Sequence, residues 1–239
     1  MFVALCGLIF VMAGLVKGLL GMGLPTLAMA LLVILMPSPE AAALLLLPSV
    51  LTNLWQMGAP ASALRMCRRL LPLLAGITLA TLVATRWLTQ GNSEVIHPVL
   101  GTVLMAYALA GLFRLRLPQP GRLEGWLSFP VGLATGALSG VTGVFVIPAV
   151  PWLQALRLGK DDLVQALAIC FLVATLALGA GLWLHGEGRR LDLWGSAAMV
   201  PPTLLGMYLG QRLRRHITEA LFQRLFYLGL LGLGLAAWW

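Results

Sequence analysis

The stretch Gly14-Leu-Val-Lys-Gly-Leu-Leu-Gly21 is followed 122 residues later by Gly136-Ala-Leu-Ser-Gly-Val-Thr-Gly143, so the pattern G-x-x-x-G-x-x-G occurs twice in this chain. The same offset places Asn53 on Thr175. Because one offset relates positions this far apart, we interpret the chain as two related halves. The order of elements around the two glycine motifs then decides the fold.

The composition restricts these halves to a membrane. The chain has 239 residues, of which 60% are hydrophobic and 10% are charged, and its mean hydropathy is +0.94. A soluble domain of this length cannot bury so much apolar surface in one core. Several stretches without charge, such as 126–156 and 163–184, exceed the ~20 residues that a helix needs to cross a bilayer. The sequence therefore predicts an all-α polytopic membrane protein with about eight to ten membrane segments.

Glycine, proline and charged residues divide each half into five helical elements. The predicted elements are 2–17, 24–36, 41–57, 70–88 and 95–113 in the first repeat (1–114), and 126–139, 144–156, 163–184, 192–211 and 220–239 in the second (126–239). Between them, the charged linker 115–125 contains Pro118, Pro120 and Gly121, which break helix. The eight tryptophans fall near the ends of apolar runs, where we expect them to form an interfacial belt.

The basic residues test whether each glycine motif lies in one continuous helix or marks a turn between two antiparallel pieces. With a turn, 13 of them share one side of the membrane, and only Arg86, Arg189 and Arg190 lie on the other. With a continuous crossing, Lys17 lies within the membrane and the rest divide 8 against 7. The turn agrees better with the positive-inside rule, and it predicts an inverted-topology repeat with both chain ends in the periplasm. Ten tilted spans, or six spans plus two re-entrant hairpins, are equally compatible with this division.

The glycine motifs are also candidates for a binding site. Short segments interrupted by Gly or Pro, in corresponding positions of two halves, are typical of the substrate sites of transporters. New helices are expected to begin near Pro25 and near Thr142, the latter as an N-cap, and their positive N-terminal ends suit an anion. The glycines expected to line the site with backbone are Gly18, Gly21, Gly140 and Gly143. The alternative is that the motifs only permit close helix packing.

Four polar side chains near the motifs are further candidates. Lys17 interrupts an apolar stretch, where it either holds an anionic substrate or extends its ammonium to the membrane surface. Asn53 and Gln56 lie three apart on one helix face, and Gln165 lies on the equivalent helix of the second half. Buried amides must form hydrogen bonds, so these three either face the substrate or join neighbouring helices.

No catalytic or cofactor motif accompanies these residues. The three cysteines and three histidines have no metal-like spacing, and no nucleotide fingerprint occurs. The sequence therefore predicts neither an enzyme nor an ATP-driven pump, and it predicts no cofactor or metal.

The two motifs resemble those of the sulfite exporter TauE/SafE family, whose members carry a glycine-rich motif near the start of each of two halves. The matching stretches are Gly14-Leu-Val-Lys-Gly-Leu-Leu-Gly-Met-Gly-Leu-Pro25 and Gly136-Ala-Leu-Ser-Gly-Val-Thr-Gly-Val-Phe-Val-Ile-Pro148, with support from Pro48-Ser-Val-Leu-Thr-Asn-Leu-Trp-Gln56 and Leu163-Val-Gln-Ala-Leu167. Many members have three successive glycines where this chain has Gly21-Met22-Gly23-Leu24. The resemblance spans essentially the whole chain. It implies transport of sulfite, sulfoacetate or other organosulfonates across a bacterial inner membrane, in either direction and without ATP.

From the residues and the resemblance together, we expect a secondary transporter for a small anion that works by alternating access. A passive anion channel, a non-transporting membrane enzyme and an assembly factor are the alternatives. The expected partners are the anion and membrane lipid, without nucleic acid. The coupling ion is left open, with a proton handled by Glu40, Asp161 or Asp162 as one candidate, and so is association into a homo-oligomer.

Overall fold

A computed structural model describes residues 2–90, 93–113, 117–185, 192–214, 216 and 218–238. Within these residues the chain forms twelve α-helices, one 3-10 turn at Gly121–Leu123 and no strand, which confirms the all-α prediction. The helices are α1 (Phe2–Leu20), α2 (Leu24–Leu32), α3 (Ser38–Gln56), α4 (Pro60–Arg69), α5 (Leu71–Gln90), α6 (Ser93–Leu112), α7 (Glu124–Thr142), α8 (Ala149–Ala155), α9 (Lys160–Leu184), α10 (Leu193–Ala198), α11 (Val200–Leu213) and α12 (Glu219–Ala236).

Four of these helices, α1, α5, α6 and α9, are long and apolar enough to cross a membrane. Helices α3 and α4 meet at a bend of 106° and together would make a fifth crossing if they formed one broken span. Helix α12 is apolar but shorter, over Ala220–Ala236. The described residues thus form a multi-pass membrane protein, and the expected eight to ten segments stay a prediction.

The offset of 122 residues reappears in the helix boundaries. Helices α1 and α7 begin 122 residues apart, and so do α3 and α9 and also α5 and α10. Glycine ends both α1 and α7 in the same way, since Gly21 and Gly143 have φ angles of 78° and 70°. This left-handed conformation is the usual C-terminal stop of a helix and favours residues without a Cβ atom.

Each half packs its first helix on the other half, through glycine. Helix α1 lies along α11, and a Cβ atom added at Gly18 would collide with the carbonyl oxygen of Met207. Helix α7 lies along α5, where a Cβ atom at Gly140 would come within 2.6 Å of the Ala84 side chain and 2.9 Å of the Thr81 carbonyl oxygen. Because both contacts bring helix backbones this close, they account for the spacing of the motif glycines by helix packing.

The structure departs from the predicted elements at α4 and in the helices 192–211 and 144–156, and α2 ends at Leu32 rather than at residue 36. Helix α4 was not expected, because its basic residues give it a pattern typical of a loop. The predicted helix 192–211 is interrupted at Met199, before Pro201 and Pro202 open α11. The predicted helix 144–156 begins only at Ala149, and the residues between Gly143 and Pro148 are not regular α-helix. The predicted repeat and linker boundaries are not tested by these helices and stay predictions.

Candidate functional site

The first glycine break turns the chain at the end of α1. The N–H of Gly21 donates to the carbonyl of Lys17 at 2.8 Å, and Gly23, with φ of 97°, precedes the first residue of α2. Pro25 is buried in the first turn of α2, as predicted, where its missing N–H leaves no helical hydrogen bond unmade. The break therefore places the C-terminal end of α1 beside the N-terminal end of α2.

The second break has the same glycine stop but a different continuation. The N–H of Gly143 donates to the carbonyl of Ser139 at 2.8 Å, which repeats the bond at the first break. Thr142, predicted as the N-cap of the next helix, is instead the last residue of α7. Its hydroxyl donates to the carbonyl of Leu138 at 2.7 Å and accepts the N–H of Val144 at 3.2 Å. The N-cap prediction is therefore wrong, because the chain after Gly143 does not enter a helix until Ala149.

Lys17 lies in the interior of the protein and does not extend to the membrane surface. Its side chain is 1% exposed, and its ammonium donates to the Oδ1 atom of Asn53, which is fully buried. No carboxylate among the described residues forms an ion pair with Lys17. The alternative in which Lys17 reaches the surface is wrong, because the side chain points into the interior toward Asn53 on α3. A buried ammonium bonded to one amide oxygen is strongly under-compensated.

Several polar atoms in the interior have no hydrogen-bond partner within the protein. On α3 they are Nδ2 of Asn53, Oγ of Ser49 and Oε1 of Gln56, at positions that share one face of the helix. The hydroxyl of Thr26 on α2 and the indole N–H of Trp152 on α8 complete the set. Four of the five are hydrogen-bond donors, and each buried group left unpaired costs about 1–3 kcal/mol. The donors of Ser49 and Asn53, which share one face of α3, suit a ligand with acceptor oxygens.

The amide of Gln165 already has partners. Its Nε2 atom donates to the carbonyl of Met57 and, at 2.8 Å, to the hydroxyl of Ser62. These bonds join α9 to the bend between α3 and α4. The predicted alternative for Gln165, a hydrogen bond between helices, therefore accounts for its position.

The predicted glycines divide into two groups. Gly18 and Gly140 lie at helix contacts, where their Cα atoms face helix backbone. Gly21 and Gly143 instead face side chains of the other half, since a Cβ atom would lie 3.5 Å from Val164 at Gly21 and 2.9 Å from Met29 at Gly143. Gly21 and Gly143, at the breaks, therefore contact side chains, whereas Gly18 and Gly140 contact the backbone of a neighbouring helix.

Three residues of the polar set were missed by sequence reasoning. Ser49 lies one helical turn before Asn53, and that spacing was the available signal. Thr26 gives no such signal, because a hydroxyl in an apolar helix commonly bonds to its own backbone, as Thr52 does to Pro48 at 2.6 Å. Trp152 was assigned to the membrane interface, but it is 5% exposed, so that prediction is wrong for this residue.

An all-helical, multi-pass protein with a cation and unpaired donors buried between its helices has the features of a membrane protein with an intramembrane functional site. Comparison with protein families is more specific: the model of the sulfite exporter TauE/SafE family matches residues 6–237. The chain belongs to this family of membrane transporters. Comparisons with curated proteins and with solved structures gave no match.

Proposed function

We propose that the chain is a secondary transporter for a small sulfur-containing anion, such as sulfite, sulfoacetate or another organosulfonate, and that the anion binds between Lys17 and α3. The observation that supports this most directly is the buried ammonium of Lys17, which is held by an amide oxygen and faces no described carboxylate. An anion would supply the charge that the protein itself does not provide.

The unpaired donors support an oxyanion as the ligand. Nδ2 of Asn53 and the hydroxyls of Ser49 and Thr26 each have an unused hydrogen. A sulfonate group offers three oxygens, and charged acceptors make the stronger hydrogen bonds. The N-terminal end of α2 after Gly23 adds partial positive charge, and this helix is nine residues long. Helix α8 has only seven residues and begins at Ala149, several residues after Gly143. The proposed site therefore depends mainly on the first glycine break.

Alternating access is the mechanism that we propose for this site. The first helix of each half packs on the other half: α1 lies against α11, and α7 lies against α5. One half can therefore move against the other as a rigid unit only if both of these helix contacts shift at the same time. An inverted relation between the halves would place the site near mid-membrane and expose it to either side in turn. When the anion leaves, the ammonium of Lys17 returns to the Asn53 oxygen, which limits the cost of the empty state.

Flux into proteoliposomes tests this proposal. Purified protein is expected to move sulfite or sulfoacetate with a rate that saturates with substrate concentration, whereas a passive channel gives a rate that does not saturate. Carboxylates of the same size serve as competitors that report the role of the sulfur oxyanion. A protein that moves none of these anions at any gradient would refute the proposed function.

A further inference from the structure

A polar cavity lies apart from Lys17. It has a volume of about 750 Å³, within the ~300–1,000 Å³ range of small-molecule sites, and residues of α6, the linker, α8, α9 and α12 line it. Its polar walls include Gln154, Arg157 and Tyr227. Leu117 of the linker also lines it, so the cavity lies at the basic end of the molecule, which the charge distribution predicts to be cytoplasmic.

Arg157 is the charged residue of this cavity, and its backbone is unusual. Its φ angle is 51°, and it is the one non-glycine residue with positive φ in the described part of the chain. A side chain with a Cβ atom is disfavoured there, whereas glycine adopts this conformation freely. The side chain is exposed, and no described carboxylate forms an ion pair with it. Arg157 follows the last turn of α8, where the left-handed conformation ends a helix and glycine is favoured, so an arginine there that faces a cavity without a counter-ion points to a role for its side chain.

A layer of aromatic side chains separates this cavity from the first glycine break. Tyr227, in the cavity wall, packs edge-on against Tyr107 with ring centres 5.4 Å apart. The hydroxyl of Tyr107 lies 3.6 Å from the sulfur of Met22, and a Cβ atom at Gly23 would lie 3.1 Å from the ring of Phe226. One aromatic layer therefore stands between the cavity and the turn after Lys17.

We propose that the cavity is a second binding site for small sulfonates or sulfite, in which Arg157 captures the anion from the cytoplasmic side before it passes the aromatic layer to Lys17. A guanidinium offers two parallel N–H groups to an oxyanion, which suits the oxygens of a sulfonate. This inference rests on the proposed function, since it describes how the transported anion would pass between the cytoplasm and the site at Lys17. The repeat mate of Arg157 is Leu35, so the repeat supplies no second arginine at the corresponding position.

The test compares three substitutions of Arg157 in membrane vesicles of both orientations. Arg157→Gln is expected to raise the half-saturation concentration for sulfite and sulfoacetate by roughly three- to tenfold when the anion is offered from the cytoplasmic side. The maximal rate from the cytoplasmic side should not change, whereas the ratio of maximal rate to half-saturation concentration should fall by the same factor in both directions, because the driving force alone fixes the ratio between them. Arg157→Lys should give an intermediate value, because it keeps the charge without the paired donors.

Arg157→Gly separates binding from folding. It is expected to lose affinity as Arg157→Gln does, while its thermal unfolding temperature is at least that of the wild type, because glycine relieves the positive φ. Arg122→Gln is the matched control, since Arg122 is an exposed arginine at the same end and does not line the cavity.

The outcomes distinguish this inference from the proposed function. A wild-type protein that moves neither sulfite nor sulfoacetate refutes the proposed function itself. A transporting wild type whose Arg157→Gln variant keeps its half-saturation concentration from both sides overturns the cavity site. An equal loss in Arg157→Gln and Arg122→Gln also overturns it, because surface charge would then explain the effect.

Discussion

Replacement of Lys17 by Met tests the proposed site most directly. Methionine has a similar length, so the change removes the buried charge without opening a large cavity. A charge-assisted hydrogen bond contributes ~1.5–3 kcal/mol, so we expect the dissociation constant of the transported anion to rise roughly 10- to 150-fold. The loss should appear as a right-shifted flux curve in proteoliposomes and as a smaller thermal shift with sulfite or sulfoacetate.

Lys17→Met is expected to change the stability of the fold by two contributions of opposite sign. Lys17→Met leaves Oδ1 of Asn53 without its partner, at a cost of ~1–3 kcal/mol, but removes a desolvated charge. The double variant Lys17→Met/Asn53→Leu removes both groups, and replacing a buried polar pair by apolar residues is often neutral or stabilising by ~1–4 kcal/mol. The double variant should therefore unfold at or above the temperature of the single variant, while it transports no better.

Arg86→Gln is the matched control, because it also removes one positive charge, from an exposed side chain that stacks on Trp87. It should keep wild-type affinity. If Lys17→Met binds and moves the anion as the wild type does, Lys17 has no role in the site. A Lys17→Met variant that keeps the wild-type affinity but is much less stable would instead show that the pair serves to join α1 to α3.

Three further predictions concern the breaks, the helix joint and the topology. Gly21→Ala and Gly143→Ala should each lower stability by roughly 1–2 kcal/mol, because alanine is strained at φ of 78° and 70°. Thermal unfolding should show the larger loss for Gly143→Ala, because its new Cβ atom also meets the side chain of Met29. Gln165→Leu should lower stability by roughly 1–3 kcal/mol, because two hydrogen bonds to the α3–α4 bend are lost; a large change in anion affinity would contradict its structural role. Tags at both ends of the chain should react with a membrane-impermeant reagent in intact cells, and protection of either one would contradict the inverted arrangement.

The backbone of the glycine breaks was predictable from the sequence, and the reason is local. A helix that ends in the left-handed conformation favours glycine, so Gly21 and Gly143 mark their helix ends without any knowledge of the tertiary contacts. The helix after each break was less predictable, since Pro25 opens α2 at once whereas α8 begins only after several residues of irregular chain that separate Gly143 from Pro148. The path of the chain beyond each helix end depends on packing against the rest of the protein.

The side chains of the proposed site were predictable as individual polar residues but not as a set. Lys17 and Asn53 stand out because each interrupts an apolar helix, where a polar group needs a partner. That they bond to each other depends on how α1 and α3 cross, and no local pattern specifies this. The topology argument shows the effect of this limit. Lys17 was counted among the basic residues on the cytoplasmic side, whereas its side chain lies in the interior. The other basic residues still divide very unevenly between the two predicted sides of the membrane.

The two glycine breaks have the same helix stop but different side-chain chemistry. At the repeat mates of Lys17 and Asn53, the hydroxyls of Ser139 and Thr175 bond to carbonyls of their own helices, at 2.6 and 2.7 Å. Such hydroxyls are already satisfied and have no need of a ligand, whereas the ammonium and the amide on the first half do. The two halves therefore share several helix starts and both glycine stops, but the buried ammonium and amide that can hold an anion lie on the first half. An alternating-access cycle built on this scaffold would carry the anion with the first half and exchange it with Arg157 on the second half.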